Sequence, residues 1–216
     1  MNIDADIVLK AYQLGLFPMA DGKNSDTIHW IDPEWRGILP FDAFHIPRSL
    51  RKVVRRGVYT IKCNTDFRSV LCACAETTAR REDTWINSKI ADIFTDLHEQ
   101  GYAHSVETWR GDDLVGGLYG LAIGGVFFGE SMFSRSDDAS KVALVDLMMR
   151  LHKSGYVLLD TQFLNEHLRR FGAVEVPRGT YKMMLENALA VPAQFYCDDF
   201  SVGAVESFLQ SNTHTS

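Results

Sequence analysis

Three polar side chains stand inside otherwise apolar runs: Glu130 in FFGESMFSR, and Asp160 with Gln162 in LLDTQF. Residues two apart along a strand share a face, so Asp160 and Gln162 are expected to point the same way and to hydrogen-bond a common ligand or each other. A carboxylate beside an amide can orient an incoming amine and accept or relay its proton, while a second carboxylate attracts a cation. Taken singly, each reads as an ordinary satisfied polar residue at a strand end. Their order adds weight, because Glu130 is read as closing one apolar strand and Asp160 lies in the next, with a single helix between. Strand ends so arranged would converge on one cleft.

Two further groups invite a chemical reading. Leu144, Leu147 and Leu151 recur along one face of a predicted helix, with Leu118, Phe127 and Leu159 on adjoining strands. That set reads as plain core or as the wall of a pocket for an apolar side chain unbranched at Cβ. Arg48, Arg51, Lys52, Arg55 and Arg56 fall at i, i+3, i+4, i+7 and i+8, on one helical face and with no acid among them. Such a stripe is a solvated face, or a seat for a phosphate backbone. The histidines at 29, 45, 98, 104, 152 and 167 show no HExxH spacing, and no Gly-x-Ser-x-Gly elbow occurs. Cys72 and Cys74 lie two apart while Cys63 and Cys197 stand alone, so no paired Cys-x-x-Cys hooks exist for zinc and reduced, mostly buried thiols are expected. No metal or cofactor is expected.

The elements that must position these groups follow from periodicity. Ala5 to Leu16 reads as a helix ending at Gly15, Phe17 and Pro18. Met19 to Pro40, rich in Gly, Asp, Asn and Pro, reads as loops and short strands of a small lobe that must lean on the rest. TDFRSVLCACAE and SKIADIFTDLHEQG are amphipathic helices; AHSVETWR and DLVGGLYGLAIGGVFFGESMF read as antiparallel strands. ASKVALVDLMMRLHKSG is a helix ended by Gly155, YVLLDTQF a central strand, and Asn165 to Phe171 a further helix. The polar tail SNTHTS is expected to lack fixed structure. Together they predict an α+β fold, a mixed sheet with helices packed on it. The 216 residues allow one or two globular units, here 1–36 and 37–216. A net charge of −6 argues against indiscriminate coating of nucleic acid. With no apolar run long enough for a membrane span and no signal sequence, a soluble cytoplasmic monomer is expected.

The blocks HSVETWRGDDLVGGLYGLAIGGVFFGESMFSRSDDASKVAL, YVLLDTQFLNEHLRRFGAVEVPR, AYQLGLFPM and FHIPRSLRK resemble leucyl/phenylalanyl-tRNA–protein transferases, over nearly the whole chain from about Ala11 to Arg178. The resemblance implies a small N-terminal lobe followed by a domain like the GCN5-related N-acetyltransferases (GNAT-like). It implies transfer of Leu, Phe or Met from aminoacyl-tRNA to proteins that begin with Arg or Lys, which marks them for N-end-rule degradation. Carried over by position, the catalytic carboxylate falls on Asp160, its partner glutamine on Gln162 and the substrate-holding glutamate on Glu130. Where some members have a tryptophan after Phe-Pro this chain has Met19, which leaves Trp85 in DTWINSK as the residue to stack on the terminal adenine. The resemblance also brings forward the pocket reading of the leucine face, and an acceptor stem as the partner of the Arg48–Arg56 stripe.

Two other readings remain. An acyl-CoA-dependent N-acyltransferase would hold its pyrophosphate on a glycine-rich loop at a helix N-terminus, where this chain has SRSDDASK, with two acids and no glycine. A non-catalytic tRNA-binding module would use the basic face alone and leave Glu130, Asp160 and Gln162 without a task.

Overall fold

The computed structural model describes residues 3–77 and 83–212. In chain order the elements are α1 (Ala5–Gln13), β1 (Phe17–Ala20), β2 (Ile28–Ile31), β3 (Trp35–Ile38), α2 (Arg48–Arg55), β4 (Thr60–Cys63), α3 (Phe67–Ala75), α4 (Ser88–Glu99), β5 (Ala103–Arg110), β6 (Asp113–Ile123) and β7 (Val126–Ser134). They continue with α5 (Ala139–Lys153), β8 (Leu158–Gln162), α6 (Glu166–Arg169), β9 (Val174–Pro177), α7 (Arg178–Leu189) and α8 (Val202–Ser211).

Helix starts are chemically marked. The side chains of Asp4, Asp66, Asn87, Asn165 and Ser201 each accept a hydrogen bond from a first-turn backbone N–H, while α2 and α7 begin after Pro47 and Pro177. Among the described residues the strands form a β1–β2 hairpin and a seven-stranded sheet ordered β4-β5-β6-β7-β8-β3-β9. Its pairings are antiparallel except β7 with β8, which run parallel because α5 crosses between them. The mixed sheet with packed helices is the α+β, GNAT-compatible layout expected.

Alternation along the strands sorts two cores. Tyr119, Leu121 and Phe128 face α1, α3, α4 and α7, alongside Val8, Phe67, Val70, Phe94 and Leu185. Leu118, Phe127 and Leu159 face α5 and α2, alongside Leu144, Leu147, Leu151 and Leu50. The first core also takes in Tyr12, Phe17 and Ala20, so the N-terminal segment packs on the sheet domain as its size requires. β3 spans the expected boundary at residue 36 and lies between β8 and β9. The tail expectation mostly falls on residues 213–216, outside the described residues, and Ser211 closes α8. Among the described residues no helix is long and apolar enough to cross a membrane.

β6 leaves no room for a side chain at Gly120. A Cβ on Gly120 would sit 2.3 Å from the Phe127 ring and 2.3 Å from the Phe128 carbonyl oxygen. Gly120→Ala is therefore expected to destabilise the fold by about 3 kcal/mol in urea unfolding, the upper end of what overpacked cores lose. Gly155, with φ +76 and nothing within 4 Å, should lose only about 1–2 kcal/mol as alanine, from backbone strain alone. Equal losses would mean that the close approach at Gly120 is relieved at no cost.

Candidate active site

Pairing between β7 and β8 stops at Phe128↔Asp160, while on its other edge β8 stays paired with β3, Asp160 opposite Ile38 and Gln162 opposite Gly37. The two parallel strands therefore part, and Glu130 and Gln162 face one another across the opening. Glu130 does not close its strand as expected, since β7 runs on to Ser134.

Gln162 has φ +61, a left-handed conformation unusual for a residue with a side chain, and such strain persists only where surrounding contacts impose it. Its backbone N–H donates to Asp160 Oδ1 at 2.7 Å, and its Nε2 donates to Glu130 Oε1 at 2.8 Å. The expected shared face of Asp160 and Gln162 is thus realised differently: the Gln162 side chain reaches Glu130, and only its backbone meets Asp160.

Asp160 is fully enclosed. Arg36 Nε and Nη2 donate to its carboxylate, at 3.0 Å to Oδ1 and 2.7 Å to Oδ2, and Tyr181 Oη–H donates to Oδ2 at 2.6 Å. The expectation cast Asp160 as the group that orients an amine and relays its proton, yet both of its oxygens are occupied by protein donors. Arg36, itself buried, lies against the rings of Phe17 and Tyr181 at 4.6 and 4.5 Å and donates through Nη1 to the Gly15 carbonyl.

Sequence reasoning missed Arg36, Tyr12 and Tyr181. A usable signal existed for the first, an arginine inside the apolar stretch WRGIL that mirrors the aspartate inside LLDTQ. The tyrosines sit on helices among other apolar residues, and nothing local distinguishes them from core.

Glu130 differs from Asp160 in having an oxygen to spare. Tyr12 Oη–H and Gln162 Nε2 both donate to Oε1, at 2.7 and 2.8 Å, and Oε2 has no hydrogen-bond partner among the described residues. Burial pushes the Glu130 carboxyl up to about 8, against the pull of the Tyr12 and Gln162 hydrogen bonds. Burial and the neighbouring Glu130 charge also hold the Tyr12 phenol protonated well above its ordinary range. Glu130 and Thr161, whose hydroxyl is likewise unpartnered, line a cavity of about 270 Å³ walled by Leu118, Met132, Leu144, Leu147, Leu159 and Leu168, with Asn165 and His167 also in its lining.

Of the expected pocket residues, Leu118, Leu144, Leu147 and Leu159 do line this cavity. Phe127 and Leu151 do not; both are fully buried in the core beneath it. Trp85 lies outside it too, half-buried against the α1–α4 core, with its carbonyl accepting from Ala20 N–H, and Met19 packs against the same core. The basic stripe forms α2 and its C-cap, with Arg48, Lys52, Arg55 and Arg56 exposed and Arg51 half-buried. It does have an acidic neighbour, since Glu206 on α8 accepts from Arg55 Nε at 3.0 Å. Among the described residues no group of three His, Cys, Asp or Glu is placed to hold a metal.

A mixed sheet with packed helices, a buried carboxylate network and an apolar cavity beside it, where pairing between β7 and β8 ends, make up the candidate site. The family model for leucyl/phenylalanyl-tRNA protein transferase matches residues 38–186, and the model for that family's N-terminal domain matches residues 1–34. Relatives with the name leucyl/phenylalanyl-tRNA–protein transferase include one from Paramagnetospirillum magneticum, 54% identical across 89% of this chain and 92% of its own. Others are from Rhodospirillum rubrum, 53% identical across 92% and 93%, and from Maricaulis maris, 50% identical across 98% of both chains. The chain belongs to the leucyl/phenylalanyl-tRNA–protein transferase family.

Two outcomes follow from the network. Removing Arg36 leaves the Asp160 charge enclosed without its cation, so Arg36→Met should cost about 3–5 kcal/mol in chemical unfolding; a loss below about 1 kcal/mol would show the pair to be idle. Glu130 binds its proton more tightly folded than unfolded. Between its ordinary range and about 8, the unfolded chain ionises while the folded chain stays protonated, so stability falls as pH rises through that window. Glu130→Gln cannot ionise and should lose that decline. Melting curves of the two proteins that run parallel from about pH 5 to 8 would contradict the shift.

Proposed function

We propose that this chain transfers Leu, Phe or Met from aminoacyl-tRNA to the N-terminal Arg or Lys of acceptor proteins, marking them for N-end-rule degradation. The observation that carries the reading is the buried Glu130, with no hydrogen-bond partner for Oε2 among the described residues, in the wall of an apolar cavity: a carboxylate beside a pocket for an uncharged side chain.

An aminoacyl ester is already activated, so the protein need only position an amine, stabilise a tetrahedral oxyanion and let the ribose oxygen leave with a proton. In this reading the donor side chain enters the Leu144, Leu147 and Leu159 cavity, and the cationic acceptor end approaches Glu130 Oε2. The cation lowers the cost of ionising Glu130, so the proton held at rest is released as the acceptor binds. Tyr12 and Gln162 hold Glu130 in place. Asp160 acts through Arg36, Tyr181 and the Gln162 backbone, positioning the strained end of β8.

The acyl-CoA alternative meets a helix start unsuited to a pyrophosphate. Asp138 caps α5 in a left-handed conformation with φ +61, beside Asp137, and a Cβ on Gly116 would strike Ala139 at 2.5 Å. For the tRNA, α2 supplies Arg48, Lys52 and Arg56 as exposed cations, with Arg55 shared with Glu206. Trp85 remains the residue assigned to the terminal adenine.

The decisive experiment offers the full chain an Arg-initiated peptide together with either leucyl-tRNA or acetyl-CoA and weighs the product. A leucyl increment with the first donor alone supports the reading, and acetylation refutes it. Leu147→Trp should reduce transfer of Phe more than of Met, because a narrowed apolar site excludes the bulkier group first; equal losses with a lower melting temperature would return Leu147 to the core. Arg48→Ala with Lys52→Ala should lower the log–log salt slope of donor binding by roughly one to two units, and an unchanged slope would place the tRNA elsewhere.

A further inference from the structure

Cys63 and Cys197 are far apart in the chain, yet their Sγ atoms lie 2.7 Å apart, at the end of β4 and in the segment between α7 and α8. Both are half-buried, whereas Cys72 is exposed and Cys74 buried, so the expectation of mostly buried thiols holds only for Cys74.

The contact is fixed from both sides. Arg150, buried on α5 and paired with Asp146, donates through Nη1 to the carbonyls of Tyr196 and Asp198 at 3.0 and 3.1 Å, the two residues flanking Cys197. Tyr196 N–H donates to Ser154 Oγ at 3.1 Å. On the other side Asn64, left-handed at φ +55, accepts from Ser105 N–H and donates through Nδ2 to Cys197 Sγ at 3.1 Å. A side-chain donor aimed at a sulfur favours the thiolate on that sulfur. The Cys63–Cys197 hydrogen bond acts in opposite senses on its two ends. Reinforced by burial, it keeps the Cys63 thiol protonated far above its ordinary range, and it brings Cys197 below its own.

We propose that Cys63 and Cys197 are a reversible redox pair, which peroxide converts to a disulfide that staples the C-terminal segment, and α8 with it, to the end of β4. The Cys197 thiolate attacks one oxygen of hydrogen peroxide, the O–O bond breaks, and the departing hydroxide takes up a proton as water. The resulting sulfenic acid is attacked by the Cys63 sulfur, which gives up its proton; the S–S bond forms and the sulfenic hydroxyl leaves as a second water. Two thiols and one peroxide thus give one disulfide and two waters, and a dithiol reductant reverses the change by returning two electrons and two protons. The geometry asks for little movement, since the two sulfurs already touch. The consequence is local: α8 carries the Glu206 that covers Arg55 on α2, so the staple fixes that helix against the basic one.

Limited hydrogen peroxide on the full chain, followed by peptide mapping without reduction, should yield a cross-linked pair carrying Cys63 and Cys197, lighter by two hydrogen atoms than the reduced pair. The oxidised protein should melt several degrees above the reduced one, because a long loop is closed, and dithiothreitol should reverse both changes. Cys63→Ser and Cys197→Ser should each abolish the cross-link and the gain, while Cys72→Ser should leave both. The oxidised and reduced wild-type proteins carry the comparison even if a serine variant folds poorly. Oxidation of Cys197 to a sulfinic acid with no cross-link, a cross-link through Cys72, or a disulfide that leaves the melting temperature unchanged overturns the proposal.

Discussion

The enclosed Arg36–Asp160 pair is the constraint on which the site depends. Taking a guanidinium and a carboxylate out of water is costly, and the cost is met only when geometry is good and the remaining polar atoms find partners. Here they do: Asp160 receives Arg36, Tyr181 and the Gln162 backbone, and Arg36 reaches the Gly15 carbonyl and lies against two aromatic rings. One ion pair therefore ties together β3, β8, α7 and the turn after α1. Those are the elements that meet where the sheet opens.

The opening has its own physical cause. Parallel strands linked through α5 share register only as far as Phe128 and Asp160, and β8 ends at the left-handed Gln162, still paired with β3 on its other edge. The Gln162 amide is left facing Glu130, and Glu130 faces the cavity. The two carboxylates are thereby given different characters by surroundings alone. Asp160 is saturated with donors, whereas Glu130 keeps one oxygen without a partner among the described residues and holds its proton by burial. In the proposed reading, a substrate cation arriving at Glu130 promotes that group's ionisation.

Charge on the α5 face of the sheet, the face that also carries the cavity, is arranged with similar economy. The chain is acidic overall, yet α2 gathers cations on one face, and α8 folds back to pair with Arg55 through Glu206. Arg150 holds the segment leading to α8 by two backbone carbonyls. The same grip sets Cys197 beside Cys63, so packing of the C-terminal segment and the chemistry of its thiol rest on one buried arginine.

Much of this was legible in the sequence because it is local. Period-two alternation from Ala103 to Phe133 and the period of the Ala139–Lys153 helix are short-range patterns, and the structure realises them as β5, β6, β7 and α5. Glu130, Asp160 and Gln162 stood out because polar residues in apolar runs demand partners, and the motif blocks around them carried the family. The sequence alone thus determined the fold class, the family and which three polar residues meet. Tertiary structure alone decided that Arg36 answers Asp160, that Glu206 answers Arg55, that Phe127 and Leu151 lie beneath the cavity, and that Cys63 touches Cys197. Those partners are separated in the chain by 124 residues in the first case and 151 in the second, and no local period records such distances. Only the packing of strands and helices on the two faces of one sheet brings them within reach of a hydrogen bond.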